Sequence, residues 1–273
     1  MQTYLNGDVV FYAGGSGQPE KGAKTIFFVH GAGMDHSVWV MPARYFARHG
    51  YRVVAFDLPG HGQSGGQALA SIDGMADWLA QLMAHLRESD TQETTVVGHS
   101  MGTLISLSLA ARQGEQLDRL VLLGTSSPMP VTPLLLDAAR DNHHAAIDMA
   151  NTWSHGRRSL MGVSDNPGTS NLNMGERLLE RVSDGVYHAD LAACNDFDAS
   201  DYPPIARPTL IMIGDQDKMT PARAGLKVAS NVPGAQVLHL NNCGHSMLSE
   251  QPNAVLDGLS NFILGTADRV LEV

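Results

Sequence analysis

The sequence predicts an α/β domain in which a mostly parallel central sheet is flanked by helices. Short apolar runs, typical of strands covered on both faces, alternate with amphipathic helical patterns along the chain. Parallel strands joined by helices require right-handed crossovers, which place helices on both faces of the sheet. The 273 residues, 43% of them hydrophobic, suffice for one such domain with an insertion, or for two small domains.

Eight strands and three main helices follow from these patterns. The first two strands flank the Asn6-Gly7 turn, a dipeptide typical of tight hairpins, and the second of them covers residues 9–13. The other strands are the apolar runs at residues 25–29, 52–56, 94–97, 120–123, 209–213 and 236–240, all expected to be covered on both faces. Helices are predicted at residues 72–86, 101–112 and 253–262.

One region interrupts the alternation of strands and helices. Between residues 125 and 207 there are only helical patches, at 134–144, 145–153, 176–182 and 187–193, with a polar loop at 162–175. A helical and polar insertion between two buried strands favours a cap above the carboxyl end of the sheet. We therefore expect a core of residues 1–127 and 208–273, and a helical cap of residues 128–207 inserted after the sixth strand.

Charge and cysteine content argue against several classes of protein. The formal net charge of −10 disfavours binding to nucleic acid and to anionic membranes. No apolar run reaches the roughly 18 residues of a membrane span, and the first residues lack a signal-peptide pattern. Cys194 and Cys243 are too few for a disulfide framework. We expect a cytoplasmic monomer or homodimer that acts on a small molecule.

A candidate nucleophile lies in the segment Gly98-His99-Ser100-Met101-Gly102. The pattern G-x-S-x-G is also that of an ordinary glycine-rich turn, but here an apolar strand precedes it and a helix follows. In that context it predicts a strained strand-to-helix turn that presents Ser100, with the helix N-terminus favouring developing negative charge.

Two backbone N–H groups are expected to stabilise the oxyanion that forms during acyl transfer. One is the N–H of Met101, directly after the candidate nucleophile. The other should come from His30-Gly31-Ala32-Gly33, whose small residues let the backbone approach closely, and Ala32 is the predicted donor. His30 is expected to brace this loop by hydrogen bonds.

The candidate base and its acid follow the last two strands. His245 lies in the loop Cys243-Gly244-His245-Ser246, at the carboxyl edge where open α/β sheets build their sites. Asp215 and Asp217 both follow the preceding strand. Only one of the two can orient the imidazole, and the other is expected to pin its turn.

Five stretches carry a resemblance to a known family: FFVHGAG, VVAFDLPGHGQS, TTVVGHSMG, TLIMIGDQDKMTP and CGHSMLSEQP. Over nearly its full length outside the cap, the chain resembles the α/β-hydrolase superfamily, in its small, cap-bearing branch of esterases, lactonases and C–C hydrolases. The resemblance implies the α/β-hydrolase fold and a triad in the order Ser, Asp, His. It favours Asp217 as the acid, since the family places this residue three positions after the glycine, and it implies structural roles for Asp57 and His61.

Departures from the family patterns narrow the chemistry. Ser100 argues against haloalkane dehalogenases and epoxide hydrolases, which carry Asp at this position. Met101 and Ser246 stand where aminopeptidase-like and many C–C hydrolase members, respectively, have Trp. The expected function is cleavage of a small-molecule carboxylic ester through an acyl-enzyme, without cofactor or metal. The alternatives are a C–C hydrolase or lactonase with the same triad, or a non-catalytic small-molecule receptor.

The pocket is harder to predict from sequence. Met34, Trp153, Met219 and Met247 are candidate lining residues, although each is equally compatible with core filling. The pair His143-His144, with Asp148 beyond it, is more typical of a polar helix surface than of a metal site.

Overall fold

A single sheet organises the computed structural model, which describes residues 1–17, 19–87, 92–166 and 168–265. Its eight strands in these ranges are β1 (Gln2–Leu5), β2 (Asp8–Ala13), β3 (Thr25–Val29), β4 (Arg52–Phe56), β5 (Thr94–His99), β6 (Arg119–Leu123), β7 (Thr209–Gly214) and β8 (Gln236–Leu240). They lie in the order β1-β2-β4-β3-β5-β6-β7-β8. The β1–β2 and β2–β4 pairs are antiparallel and all other pairs are parallel, so the predicted mostly parallel sheet is confirmed.

The central strands carry the apolar runs because they are buried on both faces. Every residue of β3, β5 and β7 is buried. The same expectation is wrong for β8, where Gln236, Val237 and His239 are exposed. β8 is the last strand of the sheet, so it has a neighbour on one side only.

Eleven α-helices in the described ranges surround the sheet or lie between two of its strands. They are α1 (Val40–Arg48), α2 (Ile72–Leu86), α3 (Met101–Arg112), α4 (Pro133–Arg140), α5 (Ala145–Ser154), α6 (Arg157–Leu160), α7 (Asn171–Leu179), α8 (Val186–Asp196), α9 (Ala222–Ser230), α10 (Met247–Glu250) and α11 (Pro252–Leu264). α2 and α3 have the predicted bounds, whereas α1, α6, α9 and α10 were not predicted. α7 begins inside the predicted polar loop, because the Ser170 side chain accepts a hydrogen bond from the Asn173 N–H and caps the helix. No helix in the described part of the chain is long and apolar enough to cross a membrane.

Alternate residues of each central strand face opposite layers of the core. In β3, Phe27 and Val29 join the cluster that contains α2 and α3 residues, while Ile26 and Phe28 join the cluster that contains α1 and α11 residues. These four side chains are buried, at most 3% exposed. The sheet is therefore packed between two apolar layers, and loops extend from its carboxyl edge.

The helices α4–α8 form an insertion between β6 and β7, which we call the helical insertion. A small cluster of its own holds it together, formed by Leu135, Ala139, Ala146 and Leu191. Ala32, from the loop after β3, packs against this cluster. The insertion therefore lies against the carboxyl edge of the sheet.

Candidate active site

Ser100 occupies the sharp turn between β5 and α3. Its backbone has φ +55° and ψ −120°, a conformation that is unfavourable for a residue with a side chain. Hydrogen bonds hold the turn: the Ser100 N–H donates to the Leu123 carbonyl at 3.0 Å, and the Thr103 hydroxyl donates to the Ser100 carbonyl at 2.6 Å. The turn thus keeps Ser100 in a strained geometry that presents it at the edge of the sheet.

The two glycines of the motif are required by close backbone contacts. A Cβ added to Gly98 would overlap the Gly102 carbonyl oxygen, and one added to Gly102 would overlap the Val29 carbonyl oxygen. Both atoms belong to backbone in regular structure, Gly102 in the first turn of α3 and Val29 at the end of β3, so neither can move away easily. The strand-to-helix turn around Ser100 therefore depends on glycine at both positions.

His245 follows β8 and lies next to the acid predicted for it. Its Nδ1–H donates to Oδ2 of Asp217 at 2.7 Å, and its side chain is only 4% exposed. The His99 Nε2–H donates to the backbone carbonyl of His245 at 2.9 Å. Burial lowers the pKa of His99 to about 3, so this supporting imidazole is neutral. Gly124 leaves room for the imidazole of His245, since a Cβ there would lie 3.0 Å from its Nδ1.

Asp217 is a buried carboxylate whose oxygens are all hydrogen-bonded. Oδ1 accepts from the backbone N–H groups of Met219 and Thr220, at 2.8 and 2.7 Å. Oδ2 accepts from the Thr220 hydroxyl at 2.7 Å in addition to His245. Burial alone would raise the pKa of Asp217, but His245 and these donors outweigh it and hold the pKa below its ordinary value. Asp217 is therefore an ionised partner for His245.

Asp215 and Asp217, between which the sequence patterns left the choice open, have different surroundings. Asp215 is exposed, and its Oδ1 accepts a hydrogen bond from the Cys243 N–H at 3.2 Å. It thus ties two loops together without contacting the imidazole. Thr220, which sequence patterns did not single out, contacts both Asp217 and His245. Its only local signal is its position three residues after an Asp, which suits a turn that returns its donors to the carboxylate.

The loop after β3 lies beside Ser100. Val29 pairs with Gly98 across β3 and β5, and a Cβ on Gly31 would lie 3.1 Å from the Cβ of Ser100. Met101 is the first residue of α3, and the first N–H groups of a helix have no partner within it. Sheet register thus brings both predicted oxyanion donors, Ala32 and Met101, to the neighbourhood of Ser100.

His30 braces this loop as predicted. The Leu58 N–H donates to its Nε2 at 3.1 Å, and its Nδ1 lies 2.9 Å from the Gly31 carbonyl. Burial, aided by the nearby His61, lowers the pKa of His30 to about 4, so it is neutral. Asp57 also has the structural role implied by the resemblance, since it accepts from the backbone N–H groups of His36 and Gln63.

Asp190 of α8 links the helical insertion to the same loop, and no sequence pattern indicated it. Its Oδ2 accepts from the Gly33 N–H and from His61 Nε2, both at 2.8 Å. Burial opposes protonation of His61, but the Asp190 carboxylate outweighs it and raises the pKa of His61. The same loop requires glycine at position 33, because Gly33 has φ +66° and a Cβ there would lie 2.7 Å from the ring of Tyr187.

A cavity of about 130 Å³ lies beside Ser100 and His245. Its lining includes Ser100, His245, Ala32 and Thr220 from the core, and Leu135, Ala150, Leu179, Tyr187, Leu191 and Cys194 from the insertion. Of the predicted pocket residues, Met34, Trp153 and Met219 line it. Met247 lies elsewhere: it is fully buried in the core cluster that contains Trp39 and Val255, because its short helix α10 packs against α11.

Two groups among the described residues could hold a metal ion by the spacing of their ligand atoms. One is Asp35, His36 and Asp57, and the other is His144, Glu176 and Glu180 on the insertion. In the first, Asp57 is already engaged by His36 and backbone donors. In the second, His144 and the carboxylates are solvent-exposed or half-buried and form ion pairs with each other.

Comparisons with known proteins agree with this architecture. A family model described as the alpha/beta hydrolase fold matches residues 24–252. A 2-hydroxy-6-oxononadienedioate/2-hydroxy-6-oxononatrienedioate hydrolase of Cupriavidus pinatubonensis is 27% identical over 262 residues, which cover 88% of each chain. A thermophilic esterase of known structure is 24% identical, with a TM-score of 0.79 and 97% of both chains covered.

The enol-lactonase from Burkholderia xenovorans superimposes with a TM-score of 0.82, at 22% identity, over 97% of this chain and 100% of the other. The two solved structures share the fold, and one is described as an esterase and the other as an enol-lactonase. The family model covers most of the chain, including the six strands β3 to β8, the Ser100 turn and the His245 loop. The chain belongs to the α/β-hydrolase family.

Proposed function

We propose that this chain is a serine hydrolase that cleaves a carboxylic ester of a small molecule through an acyl-enzyme. One observation carries the proposal: Ser100, on its strained turn, and His245, bonded to the buried Asp217 at 2.7 Å, line the same cavity. A nucleophile, a base and an oriented acid at one cavity are the groups that acyl transfer needs.

In the proposed mechanism, Ser100 Oγ attacks the ester carbonyl while His245 Nε2 takes the hydroxyl proton. Asp217 holds the Nδ1–H of His245 and stabilises the imidazolium. The N–H groups of Ala32 and Met101 donate to the oxyanion of the tetrahedral intermediate. Its collapse breaks the bond to the alcohol, which leaves with the proton from His245. Water activated by His245 then attacks the acyl-enzyme, releasing the acid and restoring Ser100.

The cavity supports a small substrate. Its volume of about 130 Å³ and its mainly apolar lining fit a short acyl or alcohol group rather than a polymer. We propose that residues 128–207 act as a cap that selects this group, because the insertion supplies much of the lining, including Trp153 and Tyr187. Polar lining residues that could orient the substrate there include Thr132, Tyr187 and Lys218.

The comparisons keep two related reactions as alternatives. The relatives include an esterase, an enol-lactonase and a hydrolase whose name denotes an oxo-dienedioate substrate. A lactone is an internal ester and needs the same groups, so lactone hydrolysis is the second candidate. Cleavage of a C–C bond is less favoured, since Ser246 replaces the Trp that many such enzymes carry after the histidine.

The test combines labelling with a substrate panel. A fluorophosphonate should modify Ser100, identified by peptide mass spectrometry, and p-nitrophenyl acetate should be hydrolysed. Ser100→Ala should abolish both, with a loss on the order of 10⁴–10⁶ in kcat. Product analysis on an aryl ester, a lactone and a vinylogous β-diketone then separates the three reactions. An adduct on another residue contradicts the proposal, and binding of small molecules with no turnover of any ester would favour a receptor.

A further inference from the structure

Glu250, the last residue of α10, is a buried carboxylate at the junction between the helical insertion and the His245 loop. It is 6% exposed. Its Oε1 accepts from the Gly244 N–H at 2.9 Å, and its Oε2 accepts from the Gly156 N–H at 2.8 Å and from the Ser159 hydroxyl at 3.0 Å. A carboxylate removed from water needs such donors, since leaving it unpaired is costly. One side chain therefore joins two segments that are distant in sequence.

The two glycines bonded to Glu250 lie in direct backbone contact. A Cβ on Gly244 would lie 2.5 Å from the Gly156 nitrogen and 2.6 Å from the Ser154 carbonyl oxygen. A Cβ on Gly156 would lie 3.0 Å from Oε2 of Glu250. Side chains at these positions would push apart the α5–α6 junction and the loop that carries His245. Glycine at both positions therefore allows these two backbone segments to pack directly against each other.

Further hydrogen bonds hold both neighbours of His245 to the insertion. Gly244, on one side, is held through Glu250, and the Ser246 N–H, on the other side, donates to the Ser154 carbonyl at 2.8 Å. The network continues into the insertion, because Asn171 at the start of α7 donates to the Ser159 hydroxyl at 3.0 Å. Hydrogen bonds to the helical insertion thus hold the backbone on both sides of His245, although the insertion is a separate segment of the sequence.

We propose that Glu250 is a positioning residue that couples the helical insertion to the orientation of His245. The proposal rests on the function proposed above, in which His245 is the base. Glu250 does not line the cavity formed around Ser100, so it acts through Gly244 rather than on the substrate. A base displaced by a fraction of an ångström still allows substrate to bind, but it slows the proton transfer.

Glu250→Gln tests this with an almost unchanged shape. The amide oxygen can accept from only one of the Gly244 and Gly156 N–H groups, and the amide NH₂ then faces the other donor. We expect kcat for p-nitrophenyl acetate to fall by about ten- to a hundredfold with KM within about twofold. The rate of fluorophosphonate labelling of Ser100 should fall by a similar factor. Glu115→Gln, at an exposed glutamate, is the matched control and should keep wild-type rates.

A spectroscopic measurement separates positioning from general destabilisation. The low-field proton resonance of the His245 Nδ1–H should be present in the wild type and be shifted or broadened in folded Glu250→Gln. Active-site titration corrects kcat for any unfolded fraction. An unchanged corrected kcat together with an unchanged resonance overturns the proposal.

Ser159→Ala is a second variant in case Glu250→Gln does not fold. This variant removes one of the three donors to Glu250 but keeps the bond from the Gly244 N–H. We therefore expect a smaller effect than that of Glu250→Gln, with kcat falling about two- to tenfold. A folded Ser159→Ala with wild-type kcat and resonance overturns the proposal. Failure of the proposed function is distinguishable, because wild-type Ser100 would then resist labelling, whereas failure of this inference leaves wild-type labelling intact and the variants unaffected.

Discussion

Asp190 and Gly33, 157 residues apart in the chain, meet in a buried hydrogen bond of 2.8 Å from the Gly33 N–H to the Asp190 carboxylate. The same carboxylate oxygen accepts from His61 at 2.8 Å. Helix α8 of the insertion thus holds the residue next to Ala32, the predicted oxyanion donor. Together with Glu250, it makes the helical insertion a support for two loops of the candidate site.

The Asp190–His61 pair should make stability depend on pH. The folded-state pKa of His61 is raised, so the pair stabilises the fold fully below the ordinary His pKa of about 6.5. This contribution is lost as pH rises through the raised pKa. We expect Asp190→Asn to lower the free energy of unfolding by about 1–3 kcal/mol at pH 6, with a smaller difference at pH 9. Urea unfolding at both pH values measures it, and a difference that grows with pH contradicts the assignment.

Asp217 and Asp215 should differ in their effect on turnover. Asp217→Asn removes the acceptor that holds the Nδ1–H of His245, and a comparable change in another serine triad costs about 10⁴ in kcat. Asp215→Asn only weakens the bond to the Cys243 N–H, so its kcat should stay near the wild-type value. Ester hydrolysis by both variants, with circular dichroism to verify folding, is the measurement. A greater loss of kcat for Asp215→Asn would mean that the assigned acid is wrong.

Gly124→Ala should damage activity more than stability. Gly124 has φ +62°, and a Cβ there would lie 3.0 Å from Nδ1 and Cε1 of His245, so the imidazole must move by a few tenths of an ångström. We expect kcat to fall by about tenfold. Gly50→Ala is the matched control, with φ +84° and nothing within 4 Å of the added Cβ. Both variants should lose about 1–2 kcal/mol of stability from the left-handed backbone, and equal kcat values in the two would refute the explanation.

Trp153→Ala should change the choice of substrate. Trp153 of α5 lines the cavity and is half-buried, so its removal enlarges the space for the group that the insertion contacts. We expect kcat/KM for short and long p-nitrophenyl esters to shift relative to each other by about 1–3 kcal/mol of discrimination. A series of acyl-chain lengths measures this. An equal loss on every ester, or only an earlier melting transition, would show that Trp153 serves the packing of the insertion.

Local sequence patterns predicted the features of the fold that depend on residues close together in the chain. Apolar runs predicted the bounds of β3 and β4, and helical spacing predicted α2, because burial and periodicity act on neighbouring residues. The same patterns singled out Ser100, His245 and the pair Asp215 and Asp217, and the resemblance to the family favoured Asp217. These residues follow β5, β7 and β8, three parallel strands of the sheet. Parallel strands bring their carboxyl ends to one edge, so the position after a strand already predicts proximity.

Tertiary packing alone decided the supporting contacts. Asp190 reaches Gly33 across 157 residues and Glu250 reaches Gly156 across 94, and no periodicity in the chain marks such partners. Met247, with the same local signal as Met219, lies in the core because α10 packs against α11. The exposure of β8 likewise follows from its place at the end of the sheet. Such features depend on which segments come together in the folded protein. Residues that are neighbours in sequence carry no pattern that identifies these distant partners.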